Sequence, residues 1–249
     1  EQNIGETELD MKDSNFKFLQ KEFPILAKLG QLAEIYCYSD SNSCLMKLGM
    51  ICETVVKLIF NYDRIDLPNE NTADKRIDIL LRDDFITPDL AEILHALRQV
   101  RNKAIHENYS SVDTAKTFLQ MTYSLCEWFM QTYGDWQYKN KPFVMPTAEN
   151  QSISVDKNSE EVEEKKLIET AEKAAEQSEK LSKEIRKEQS HKAANQRVKS
   201  EAETRYLIDE QLRKPKAGDG TPNLAGSNNA PAGQTKRPMN VFDYADAAK

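Results

Sequence analysis

The segment Leu94-His95-Ala96-Leu97-Arg98-Gln99-Val100-Arg101-Asn102-Lys103-Ala104-Ile105-His106-Glu107-Asn108-Tyr109 concentrates two arginines, a lysine, Asn102 and two of the three histidines of the chain. Arg98, Asn102 and His106 recur every four residues and share a face of any helix that reaches residue 106. Arg98, Arg101 and Lys103 form a basic cluster that Glu107 only partly offsets; it is placed either to meet phosphates or to be an ordinary solvated face. Asn102 and His106 equally suit a hydrogen-bond network at a helix end, where a histidine complements the macrodipole. Chemistry between Arg101 and His106 demands more, because five residues separate them, about 140° around a helix of 3.6 residues per turn. They converge only if the helix frays there or a second subunit completes the site.

The elements that must carry this segment are legible from apolar spacing. Phe18, Ile25, Leu26, Leu29, Leu32, Ala33 and Tyr36 keep helical period from Asn15 onward, with Pro24 marking a first turn or a break between two short helices. Ser39 to Ser43 is a cluster of capping residues, Asp40 and Asn42 included, and suggests capping rather than metal binding. Leu45, Leu48, Ile51, Cys52, Val55, Val56, Ile59 and Phe60 then make a stripe broad enough for a core helix. After a loop, Thr72 opens a short helix through Ile77 and Leu81. Thr87-Pro88 opens the motif helix, with Thr87 at the N-cap and Pro88 at the first helical position. Ser111 caps a last helix carrying Ala115, Phe118, Leu119, Leu125, Cys126 and Phe129, which Gly134 ends. Trp128, Phe129, Tyr133 and Trp136 read as an aromatic cluster closing the domain, and His95, beside Leu94 and Leu97, as a satisfied, half-buried residue. No run alternates with period two for long enough to be a strand.

The whole chain has 249 residues, 39% hydrophobic and 30% charged, with 34 Lys+Arg against 41 Asp+Glu and a net charge of -7. That balance argues against a whole-protein electrostatic grip on nucleic acid while leaving a local basic patch open. No run approaches the roughly 18–20 apolar residues of a membrane span, and the N-terminus is too polar for a signal peptide. Cys37, Cys44, Cys52 and Cys126 lie in apolar stretches without CxxC or Cys/His spacing and read as buried reduced thiols of a cytosolic protein. Apolar residues crowd into the first part of the chain. Beyond it, Leu167, Ala171, Ala174, Ser178, Leu181 and Ile185 trace the thin seam of a weak coiled coil or an exposed helix held by i,i+4 pairs. The Gly/Pro/Asn-rich end is expected to be disordered.

Arg101-Asn102-Lys103-Ala104-Ile105-His106 resembles the signature of the HEPN superfamily, Arg-x4–6-His with a polar residue, usually Asn, directly after the arginine. HEPN domains are small helical bundles with the motif late in the fold, and many are metal-independent RNases acting as dimers with both motifs facing across the interface. The resemblance implies that His106 would handle the proton of a ribose 2′-OH, Arg101 would steady the developing phosphorane charge and Asn102 would orient the scissile phosphate, leaving a 2′,3′-cyclic phosphate.

A second resemblance covers more of the chain. SNFKFLQKEFPILAKLGQLAEIYCYSDSNSCLMKLGMICETVVKLIF (Ser14–Phe60), then LHALRQVRNKAIHENY, is similar to the helical HEPN-group domain at the N-terminus of type I restriction enzyme R (motor) subunits, and EAETRYLIDEQLR (Glu201–Arg213) to the lead-in to their nuclease domain. In that family the position matching Arg101 is often Gly, with an arginine matching Arg98, which implies that catalysis is dispensable to the fold there. The sequence carries no GxxxxGK[ST] phosphate loop and no carboxylate-Lys nuclease core in a strand pattern, so DNA cleavage and translocation do not carry over. A truncated R subunit, a gene fragment with a new tail and a free-standing relative are the expected origins.

The expectation is therefore an all-α protein: a flexible lead-in over 1–13, an HEPN-type helical bundle over 14–138, a linker over 139–158, a long charged helix or weak coiled coil over 159–213 and a disordered tail over 214–249. The expected function is an accessory or interaction module of a bacterial restriction or anti-phage defence system, touching nucleic acid through Arg98, Arg101 and Lys103, with no cofactor, metal or membrane and a cytoplasmic location. The alternative is a dimeric metal-independent ribonuclease using Arg101, Asn102 and His106; a third reading is a catalytically silent remnant. Expected partners are a second copy through the motif helix, restriction or defence subunits, and RNA or DNA.

Overall fold

Asp40 is the only residue between the first two long helices of the computed structural model, which describes residues 14–147, 157–179, 181–197 and 199–206. Its N–H donates to Tyr36 O at 2.9 Å, ending α1 (Pro24–Ser39), while its carboxylate accepts from Ser43 N at 3.1 Å and Ser43 Oγ at 2.6 Å, opening α2 (Ser41–Asp63). Both helices bury most of their length, as the wide apolar stripe requires. Pro24 does both things its position allowed: it is the first residue of α1, and a separate 3-10 turn (Asn15–Leu19) precedes it. That turn drives Phe16 onto Gly30, where a Cβ would sit 2.2 Å from the ring.

Thr72 accepts from Lys75 N and caps α3 (Ala73–Arg82), which presents Ile77 and Leu80 inward. Thr87 stands at the N-cap of α4 (Pro88–His106) with Pro88 at N1, although its side chain makes no capping hydrogen bond. Ser111 accepts from Thr114 N and caps α5 (Val112–Tyr133), which ends at Gly134. α2 lies against α1, α4 and α5, and α3 rests on α4. Among the described residues every element is helical, no strand is present, and no helix is long and apolar enough to cross a membrane. Trp128, Phe129 and Tyr133 form the expected cluster, with Phe129 and Tyr133 stacked at 4.9 Å, but Trp136 stands apart, 42% exposed. All four cysteines are free and buried, and burial pushes the Cys52 thiol up to about 12.

The charged stretch departs from the expected arm. It forms two helices, α6 (Lys157–Gln177) and α7 (Lys183–Gln196), and both lie against the bundle. The break arises from capping: Arg64, at the left-handed C-cap of α2, donates to the carbonyls of Glu176 and Ser178 at 2.8 and 2.7 Å, and Ser182 accepts from Ile185 N to start α7. Of the expected seam, Ala174 and Ile185 face solvent, Ile185 46% exposed, and Leu167, Ala171, Ser178 and Leu181 are half-buried, while Glu164, Ala175, Arg186, Ser190 and Ala193 face inward. The four charged residues of α2 each find a partner on another element: Lys47 with Glu164 at 2.6 Å, Glu53 with Arg101 at 2.6 Å, Lys57 with Glu172 at 3.3 Å and Asp63 with Arg186 at 3.3 Å. The chain divides into two units, Glu1–Ser200 and Glu201–Lys249; of the second, residues 201–206 are described and are helical, with Arg205 and Glu201 paired at 2.7 Å. The lead-in 1–13, part of the linker and the tail 214–249 fall outside the described residues.

Two buried carboxylates hold the segment after α5. Glu127 accepts from Lys141 N at 2.7 Å and from the Tyr138 hydroxyl at 3.4 Å; Glu34 accepts from Ser14 and Asn15, and Asn15 in turn exchanges two hydrogen bonds with Val144. Burial raises both above the usual carboxylate range. A carboxyl whose folded pKa is raised favours folding in its protonated form, so that contribution is complete below its ordinary 4.5 and is lost as pH climbs through the raised value. Glu127→Gln keeps the acceptor for Lys141 without a charge to desolvate. Thermal melts of this variant between about pH 5 and pH 8 should decline less steeply than wild type and match or exceed it at the alkaline end; a lower midpoint there would show that the carboxylate's charge is stabilising.

Candidate functional site

α4 reaches His106 as an unbroken helix, so the angular argument from the sequence applies in full. Arg98, Asn102 and His106 share one stripe. Arg101 lies on another, about 140° from His106, turned toward α2. The two helices cross at Gly49, whose missing side chain makes room for the stem of Arg101: a Cβ there would lie 2.2 Å from Arg101 Cδ and 2.4 Å from its Cβ. One turn further along α2, Glu53 receives the Arg101 Nη1 hydrogen bond at 2.6 Å. The Arg101 guanidinium is thus held inside its own subunit.

Arg98 is held from the other side. Its Nη2 meets Asp74, in the first turn of α3, at 2.6 Å. His95 shares that carboxylate, with Nδ1 at 3.2 Å from Asp74 and Nε2 at 3.7 Å from Asp78, which makes it the partnered, half-buried residue expected. Both arginines spend one prong on a carboxylate from a neighbouring helix, and the Nε of each is buried without a hydrogen-bond partner among the described residues. Lys103 is half-buried; Asn102 and His106 are exposed.

A network does exist at the end of α4, but its anchor is Asn42. Its amide Nδ2 donates to Ala104 O and to Tyr109 O, both at 2.8 Å, tying the last helical turn and the loop after it to the start of α2. Ser41 Oγ and Ser110 Oγ pair at 2.6 Å beside it, and Asn108 takes the left-handed conformation, φ 49°, that turns the chain. Sequence reasoning assigned Asn42 to capping and passed over Gly49, Glu53 and Asp74. A glycine inside a broad apolar stripe was the signal for a close helix crossing; Glu53 and Asp74 carried none, since each meets its arginine across the fold. Among the described residues no group of three His, Cys, Asp or Glu is placed to hold a metal ion.

Comparison with known proteins covers most of this core. A family model described as a domain of unknown function, DUF4145, matches residues 32–188, well over half of the chain. The chain belongs to the DUF4145 family. The DUF4145 match takes in the later part of α1, all of α2 to α6 and the first residues of α7 through Glu188, so α6 and the start of α7 lie within it. The chain is also similar to the type I restriction enzyme EcoKI endonuclease subunit of Escherichia coli (strain K12), 28% identical over 144 residues, which is 55% of this DUF4145 chain and 12% of that subunit. It therefore spans only a small part of that relative's length. No solved structure matches.

Proposed function

We propose that this DUF4145 protein is an accessory interaction module of a bacterial restriction or anti-phage defence system, an HEPN-type bundle in the cytoplasm that binds other subunits and touches nucleic acid through the Arg98–His106 face, with no DNA cleavage or ATPase activity of its own. The observation that carries this reading is the internal engagement of the motif: Arg101 is paired with Glu53 and Arg98 with Asp74, on an unbroken helix that points Arg101 and His106 in different directions. A guanidinium held by a carboxylate of its own fold is poorly placed to receive phosphorane charge. The two arginines together are well placed to lock α2, α3 and α4 beneath an exposed polar stripe. The similarity to a restriction endonuclease subunit supports the choice of system.

The competing reading is the dimeric ribonuclease. The exposure of Asn102 and His106 on one stripe favours it, because a second copy could bring its own arginine to that surface. Incubating the purified chain with structured and single-stranded RNA in EDTA, from about pH 6 to pH 9, beside His106→Ala, decides between the two. The module reading expects no cleavage that depends on His106, together with co-sedimentation of the chain with a type I methylase–specificity complex on DNA. Cleavage abolished in His106→Ala would replace it with the ribonuclease, and the absence of both activities would overturn it.

A further inference from the structure

The faces that α6 and α7 turn toward the bundle are unlike the surface they cover. Among the described residues, Ala175 and Ala193 are the fully buried apolar side chains they contribute, alongside Glu164, Arg186 and Ser190. Beneath α7 lies a trough of Tyr62, Asp63, Phe85, Trp128, Thr132 and Tyr133. Hydrogen bonds join the two: Trp128 Nε1 donates to Ser190 O at 3.2 Å, Ser190 Oγ to Phe85 O at 2.7 Å and Gln189 Nε2 to Gln131 O at 2.7 Å. Such bonds are exchanged almost evenly for bonds to water.

Arg186 is the centre of the arrangement. Its Nε meets Asp63 Oδ1 at 3.3 Å, its Nη1 donates to Thr132 O at 2.5 Å and its guanidinium lies 4.3 Å from the centroid of the Tyr133 ring, while Tyr133 donates to Asp63 Oδ2 at 2.7 Å. Planar stacking and two separate acceptors suit arginine and not lysine. A carboxylate as buried as Asp63 needs a cation over it. The trough thus combines aromatic walls with a fixed demand for one guanidinium.

We propose that this trough is an arginine-selecting helix-docking site, filled in cis by α7, and that α6 and α7 form a strap that lifts as a unit to admit an arginine-bearing helix of a partner. The proposal names a surface for the interaction reading above but is tested on the isolated chain, so either can fail alone.

Hydrogen exchange of the full chain, followed by mass spectrometry, is the test. Amides of α6 and α7 should exchange at least about tenfold faster than the buried amides of α2 and α5, as expected of a separate cooperative unit. A synthetic peptide copying residues 181–197, added in trans, should speed exchange in α7 further, and the same peptide with citrulline at the position of Arg186 should not. Arg186→Ala should raise α7 exchange while leaving α1–α5 protected. Exchange of α7 in step with α5, indifference to the peptide, equal action of the citrulline peptide, or collapse of the whole bundle in Arg186→Ala would each overturn the proposal.

Discussion

Replacing Leu97 by Asp is expected to leave a chain with no cooperative thermal transition. Leu97 is wholly buried on the inner face of α4. Removing its side chain costs about 2–5 kcal/mol, and enclosing a carboxylate in its place adds several more. Together they rival the roughly 5–15 kcal/mol that holds an ordinary domain together. His106→Ala, nine residues along the same helix but exposed, should change stability by no more than about 0.5 kcal/mol and leave helicity intact. Circular dichroism melts of the two variants check both statements. A soluble Leu97→Asp protein that melts cooperatively would mean that α4 presents a different face to α2.

Gly49→Leu, which takes no side chain away from α2, should be strongly destabilising. The first added carbon would meet Arg101 Cδ at 2.2 Å and Cβ at 2.4 Å, and the latter cannot swing aside without moving α4 itself. Overpacking of this kind costs on the order of 3 kcal/mol, and the Arg101–Glu53 pair is lost with it. Urea denaturation should show the midpoint falling accordingly, with Gly49→Ala shifted the same way by less. Adding Arg101→Ala to Gly49→Leu should recover part of the loss, since the two positions share one obstacle. No recovery would show that the Cβ at position 101 and the backbone of α4, rather than the stem of Arg101, set the limit.

The helices were readable because their evidence is local. Periodicity located α2 and α5, and Asp40, Thr72, Pro88, Ser111 and Gly134 marked starts and stops from within a turn of where they act. The packing of α6 and α7 was not readable, because the residues that hold them lie far away in sequence: Lys47 from Glu164 by 117 positions and Asp63 from Arg186 by 123. A stripe of alanine, serine and glutamate has the same spacing whether it faces water or a polar wall. The seam drawn through Ala174 and Ile185 also assumed one continuous helix, and Ser182 caps instead of continuing it. In the candidate site, the sequence correctly put Arg98, Asn102 and His106 on one stripe. It could not tell that both arginines already have carboxylate partners, because Glu53 and Asp74 are brought in by other helices.

The joint at Asp40 leaves α1 and α2 no slack. A single residue inserted between Ser39 and Ser41 would rotate α2, and every later element docked on it, by about 100° relative to α1. The packing of α2 on α1 would be broken and Lys28 of α1 would miss Glu163 of α6, while Lys47, Glu53, Lys57 and Asp63 would carry their partners around with them. α2 is therefore an indexing shaft: its phase, set by one aspartate, determines how the three helices paired to it, α4, α6 and α7, stand against α1.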